Sequence, residues 1–168
     1  FTRPTGYPAT FVVGIPYDDV YYWKTIYPMD VWFDLMDKSA DGFGEGVKLL
    51  QEALEVVDAK HRKVLEVELG RMQAVYNHLK SGVEQGRFFD ARNRYLKAAS
   101  DEEREECKAT MRRALEINKE IIAEHVKVVT RDSSIGYESS SQYFYVPADL
   151  VEAYASVCYA ERWLEELK

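Results

Sequence analysis

Residues 100–130 read SDEEREECKATMRRALEINKEIIAEHVKVVT, and their pattern decides the fold class. Apolar side chains recur at Met111, Leu115, Ile122 and Val129, with Asn118 and His125 on the same stripe. Steps of three, four and seven put these positions on one face of an α-helix. Ser100 followed by Glu103 forms a capping box. The Ser100 hydroxyl accepts from the amide of Glu103, and Glu103 is expected to reach back to the amide of Ser100. The acidic run 101–103 suits the positive end of the helix. Asn118 and His125, one heptad apart, read as satisfied polar groups in the core rather than as a ligand site.

The same rhythm extends to both sides. Upstream, Leu65, Leu69, Met72, Tyr76, Leu79 and Val83 predict a helix from about residue 58 to residue 98. Gly82 and Gly86 share a face there and suit close approach of a neighbouring helix. Arg87, Arg92 and Arg94 read as an exposed face, with phosphate or anionic-sugar binding as a minor alternative. Before that helix, Pro28 opens another that runs to about residue 57 through Trp32, Met36, Val47, Leu50 and Leu54. Gly42, Gly44 and Gly46 make a kink or break near 41–46 plausible, although close packing of a partner explains them more simply. Downstream, Pro147 opens a last helix marked by Leu150, Tyr154, Val157 and Leu164. The expected fold is all-α: an antiparallel helical bundle of three to five long helices, in a single domain over residues 1–168.

Two segments lack this rhythm. Residues 1–27 carry Pro4, Pro8 and Pro16 among many aromatic rings, and they predict extended chain and turns. Residues 131–147, RDSSIGYESSSQYFYVP, mix Arg131, Asp132, Glu138 and Gln142 with Tyr137, Tyr143 and Tyr145. Rings that cover the apolar faces of a pyranose, beside planar groups that bond its hydroxyls, are the chemistry of sugar contact. Those seven residues are therefore the candidate ligand-binding set. The competing reading is that Arg131 and Asp132 finish a helix and the tyrosines cover one end of the bundle. The two aromatic segments are expected to lie near each other.

Composition narrows the function further. The net charge of −7, with Lys and Arg interleaved among Glu, argues against nucleic acid as a partner. The chain has no run of about 18 apolar residues, so no membrane span is expected. Cys107 and Cys158 read as small core residues rather than as a disulfide. His61, His78 and His125 have no metal-ligand spacing, so neither a metal nor a cofactor is expected. Glycoside hydrolysis needs two carboxyl groups about 5–9 Å apart across a bound sugar. Asp18, Asp19, Asp132, Glu138 and Asp149 lie near aromatic residues, but nothing in the sequence pairs them, and no catalytic residue is assigned. The start FTRPTGYPATF, without Met, reads as the interior of a longer protein.

Two runs carry a resemblance: RDSSIGYESSSQYFYVPADLVE (131–152) and WKTIYPMDVWFDLMDKSADGFGEGVKLL (23–50). They resemble the C-terminal helical domain of bacterial glycoside-hydrolase-like proteins of the α-glucuronidase-like or family-20-like barrel type, common in gut Bacteroidetes. The resemblance implies an accessory domain in polysaccharide degradation, packed on an upstream catalytic barrel of the same chain and lining its sugar cleft. It places the catalytic acids on that barrel and implies a periplasmic or secreted protein. The alternative is a protein-interaction or dimerisation module, with a homo-oligomer formed through the aromatics of residues 1–33.

Overall fold

A computed structural model describes residues 19–135 and 146–167, together with the backbone of 137–138 and 143–144. It is an all-α bundle. A short α1 (Val20–Trp23) leads into four long helices: α2 (Met29–Val56), α3 (Ala59–Tyr95), α4 (Asp101–Arg131) and α5 (Pro147–Glu166). Between α4 and α5 a two-residue antiparallel ladder pairs β1 (Tyr137–Glu138) with β2 (Tyr143–Phe144).

Local sequence explains most helix ends. Asp58 caps α3 by accepting from the amide of His61 at 3.0 Å. The α2–α3 link is tight, and Arg62 closes it by donating to the carbonyl of Leu54 at 2.7 Å. Ser100 accepts from the Glu103 amide at 3.2 Å as expected, but the Glu103 carboxylate takes the amide of Ala99, at 2.8 Å, instead of that of Ser100. α3 stops at Tyr95, three residues before the expected 98, because Lys97 and Ala98 bond back three residues in a tighter turn.

Contacts fix the antiparallel order. Trp32 and Gly44 on α2 meet Gly86 and Tyr76 on α3, so one chain direction runs against the other. Ser81 on α3 donates to Asn118 on α4 at 2.8 Å, and Lys119 on α4 pairs with Glu161 on α5 at 2.7 Å. α3 is the central helix, packed against α2 on one side and α4 on the other, while α5 packs on α4. The main core joins Val20, Trp32, Phe88, Phe89, Met111, Leu115 and Leu164. A smaller cluster of Ile122, Val129 and Leu150 closes the other end, with Ile135 against it.

Two expectations are corrected, and between the two readings of the α2 glycines close packing holds. Residues 20–23 are helical, because Asp19 accepts from the amides of Tyr21 and Tyr22 at 3.1 and 3.2 Å and Val20 is buried in the core. α2 runs unbroken through 41–46, with Gly44 and Gly46 lying against Tyr76 and Met72. The arginines of α3 are not a uniformly exposed face. Arg92 is fully buried, stacked 5.0 Å from the centroid of Phe89 and bonded to Asn93. Arg87 pairs with Asp37 of α2 and with Glu84, and Lys80 joins both carboxylates at 3.1 and 3.4 Å. Burial alone would raise the Asp37 carboxyl, but the bonds from Arg87 and Lys80 outweigh it and hold it below its usual range.

The two paired glycines of α3 differ, and opposite signs are expected for the same substitution. A Cβ at Gly82 meets nothing within 4 Å, so Gly82→Ala should stabilise by about 0.5–1 kcal/mol through helix propensity. A Cβ at Gly86 meets Trp32 at 3.1 Å and Phe33 at 3.2 Å, and Trp32 is held in place by Trp23 and Phe33. Gly86→Ala should therefore destabilise by about 1 kcal/mol, because crowding exceeds the propensity gain. Urea denaturation of the two variants checks both signs.

Candidate functional site

The structure splits the sequence-predicted set. Arg131 is exposed in the last turn of α4, where a cation suits the negative helix end. Asp132 forms a local turn, accepting from the amide and the hydroxyl of Ser134 at 3.0 and 2.6 Å. Those bonds hold its carboxyl below the usual range. Tyr137, Glu138 and Tyr143 lie in the short ladder, with Glu138 opposite Tyr143. Gln142 and Tyr145 lie outside the described residues. Among the candidate carboxylates, Asp19, Asp132 and Asp149 each accept local hydrogen bonds, at separate helix ends. Asp18 lies outside the described residues, as does the Glu138 side chain.

The expected neighbourhood of the two aromatic segments divides in the same way. Tyr21 bonds Asp90 near the C-terminal end of α3, whereas Ile135 lies 3.6 Å from the Cβ position of Gly70. Twenty residues of α3 separate those contacts, about 30 Å of helix. The described part of the N-terminal segment thus packs at the end of the bundle away from residues 132–135. Residues 1–18, on which the rest of that expectation falls, lie outside the described residues.

What the helices do bring together is a cavity of about 260 Å³ between α3, α4 and α5. It forms because α5 packs chiefly on α4 and meets α3 mainly near Phe88, where Trp163 lies 6.4 Å away. Its apolar wall includes Phe88, Leu115, Ile122, Leu150 and Val157. Its polar side comes from α3 (Asn77, His78, Ser81, Gln85) and α4 (Asn118, His125). No Asp, Glu, Lys or Arg is among the described residues lining it.

Most of this polar side is internally satisfied. Asn118 accepts from Ser81 and donates to the carbonyl of Ala114 at 3.0 Å, as expected for a satisfied core amide. Burial pushes His125 down to about 4, with His78 opposite as a second, smaller cause. Burial lowers His78 as well. Both imidazoles are therefore neutral at pH 7, and the cavity carries no charge from the described residues. Asn77 differs: it is 1% exposed, its Oδ1 accepts from Gln73 at 2.8 Å, and its Nδ2 has no partner among the described residues.

A second cavity, of about 150 Å³, lies on the α1–α2 side of the same α3 face. It shares His78, Gln85 and Phe89 with the first, so the two adjoin. Trp23 lines it, and the buried Trp23 Nε1 also has no partner among the described residues. Sequence reasoning placed Asn118 and His125 on the inner face of α4 but missed their partners on α3. The signal was present: Asn77, Ser81 and Gln85 interrupt the helix between Tyr76 and Phe88 at steps of four.

Cys107 and Cys158 are free thiols, and burial raises the former. Among the described residues no group of His, Cys, Asp and Glu is placed to hold a metal ion. No helix among them is long and apolar enough to cross a membrane. Comparison with protein families, curated proteins and solved structures finds no match for this chain.

Proposed function

We propose that this chain is a non-catalytic accessory helical domain that docks on a neighbouring domain of a carbohydrate-active protein, a catalytic barrel of the glycoside-hydrolase type. One observation carries the docking role: the exposed apolar corner where α1 meets α2. Ile26 is 89% exposed and Tyr22 59%, with Tyr27, Val31 and Leu35 exposed beside them. Val31 and Leu35 stand four residues apart and so share a face of α2. The corner is built at a cost. Thr25, a β-branched residue, sits in the left-handed region at φ 48, where an L-residue is strained by about 1–2 kcal/mol. Exposed apolar residues gathered along one short stretch of chain suit an interaction site. The resemblance of residues 23–50 to the helical domains that accompany such barrels covers this corner and supports the choice of partner.

The test supplies the helical chain and the barrel domain of the same gene as separate polypeptides. Ile26→Asp should weaken their association by about tenfold or more, as for a central apolar contact. The melting temperature of the chain alone should move by less than about 2 °C, since Ile26 touches little of the fold. Undiminished association in Ile26→Asp and Leu35→Asp would sink the reading. A dimer of this chain that Ile26→Asp dissociates would replace the barrel with a second copy.

A further inference from the structure

We propose that the two adjoining cavities along α3 form a binding site for an uncharged, largely apolar molecule that carries a hydrogen-bond acceptor. The site is independent of the docking corner, and neither inference needs the other. Its size suits a small organic molecule: an apolar cavity of about 150 Å³ already accepts benzene, and here about 260 Å³ adjoins about 150 Å³. Its chemistry sets the class. Asn77 Nδ2 and Trp23 Nε1 are two buried donors without acceptors among the described residues, one in each cavity. A buried donor left unpaired keeps its full desolvation penalty, so an acceptor delivered to either is rewarded.

The alternatives fit less well. A water beside Asn77 would leave the apolar wall of Leu115, Ile122, Leu150 and Val157 without contacts. A sugar would have to strip most of its hydroxyls against that same wall without replacement bonds. An anion would find no cation among the described lining residues, and both imidazoles there are neutral at pH 7. A flat or aliphatic body on the Phe88 and Leu150 side, with a carbonyl or ether oxygen toward Asn77, satisfies both halves.

Prodan, an uncharged naphthyl ketone whose emission shifts blue in apolar surroundings, is the probe. Saturable blue-shifted binding at low-micromolar concentration, one probe per chain, is the expected result. Ser156 is exposed at the cavity mouth on α5. Ser156→Trp should therefore block entry and weaken binding about tenfold or more while the chain stays folded. Asn77→Leu should weaken the ketone about tenfold yet leave naphthalene, which has no acceptor, within about twofold. Naphthalenesulfonate should not compete. Absence of saturable binding overturns the site, as does binding that Ser156→Trp leaves intact. Equal losses of ketone and naphthalene in a folded Asn77→Leu overturn the acceptor, and effective competition by the sulfonate overturns the uncharged class. Should Asn77→Leu fail to fold, the Ser156→Trp comparison alone decides whether the site exists.

Discussion

Replacing Trp32 with alanine is expected to cost about 4 kcal/mol of stability, the middle of the range for loss of a buried aromatic. Trp32 is buried at the point where three helices meet. Its ring lies edge-on to Trp23 of α1, with centroids 6.1 Å apart, and to Phe33, at 5.1 Å. It also lies over Gly86 of α3, which leaves no side chain beneath to move in and fill the gap. The void therefore stays open, and the full cavity cost applies. For a domain of this size the loss corresponds to a melting temperature lower by about 8–16 °C. α1 should loosen first, because Trp23 and Val20 are its attachments to the core. Two measurements check this: thermal unfolding by circular dichroism, and limited trypsin cleavage after Lys24, expected to be faster in Trp32→Ala. A loss below about 1 kcal/mol would show that Trp32 is not the junction described here.

The second large effect is expected at Glu84, a carboxylate only 2% exposed between two cations. Arg87 lies 2.5 Å from it and Lys80 3.4 Å, and both cations also bond Asp37 across the α2–α3 seam. Glu84→Ala leaves two partly buried cations sharing one carboxylate. Removing one member of a buried ion pair costs about 3–5 kcal/mol. Lys80 and Arg87 retain some contact with solvent, which places the expected loss at the lower end, about 3 kcal/mol. Glu84→Gln should lose less, since the amide oxygen still accepts from Arg87. Urea denaturation of Glu84→Ala, Asp37→Ala and the double variant measures the network directly. The two losses should fall short of additivity by at least about 0.5 kcal/mol, because the carboxylates share both partners. Full additivity would mean that the seam is held by packing alone.

The sequence by itself determined the four long helices. Ser100, Asp58 and the prolines at 28 and 147 mark starts that depend on nearby backbone groups, and such signals are local. The inner face of α4 was legible for the same reason: that helix packs chiefly through one side, so Met111, Leu115, Ile122 and Val129 keep a clean period. α3 was read less well because it is central. With α2 on one flank and α4 on the other, it buries residues around much of its circumference, and the contrast between faces on which periodicity depends is lost. Arg92 therefore looked like a solvent residue, although Phe89 holds it inside.

Only the tertiary structure decided the cavity. Asn77 and His78 on α3 and His125 on α4 are nearly fifty residues apart in the chain and meet because the two helices run antiparallel at one register. No local propensity encodes that register; it follows from which apolar faces bury each other best. The gap beside α3 arises because α5 packs chiefly on α4, a choice among neighbours that only the packed bundle makes.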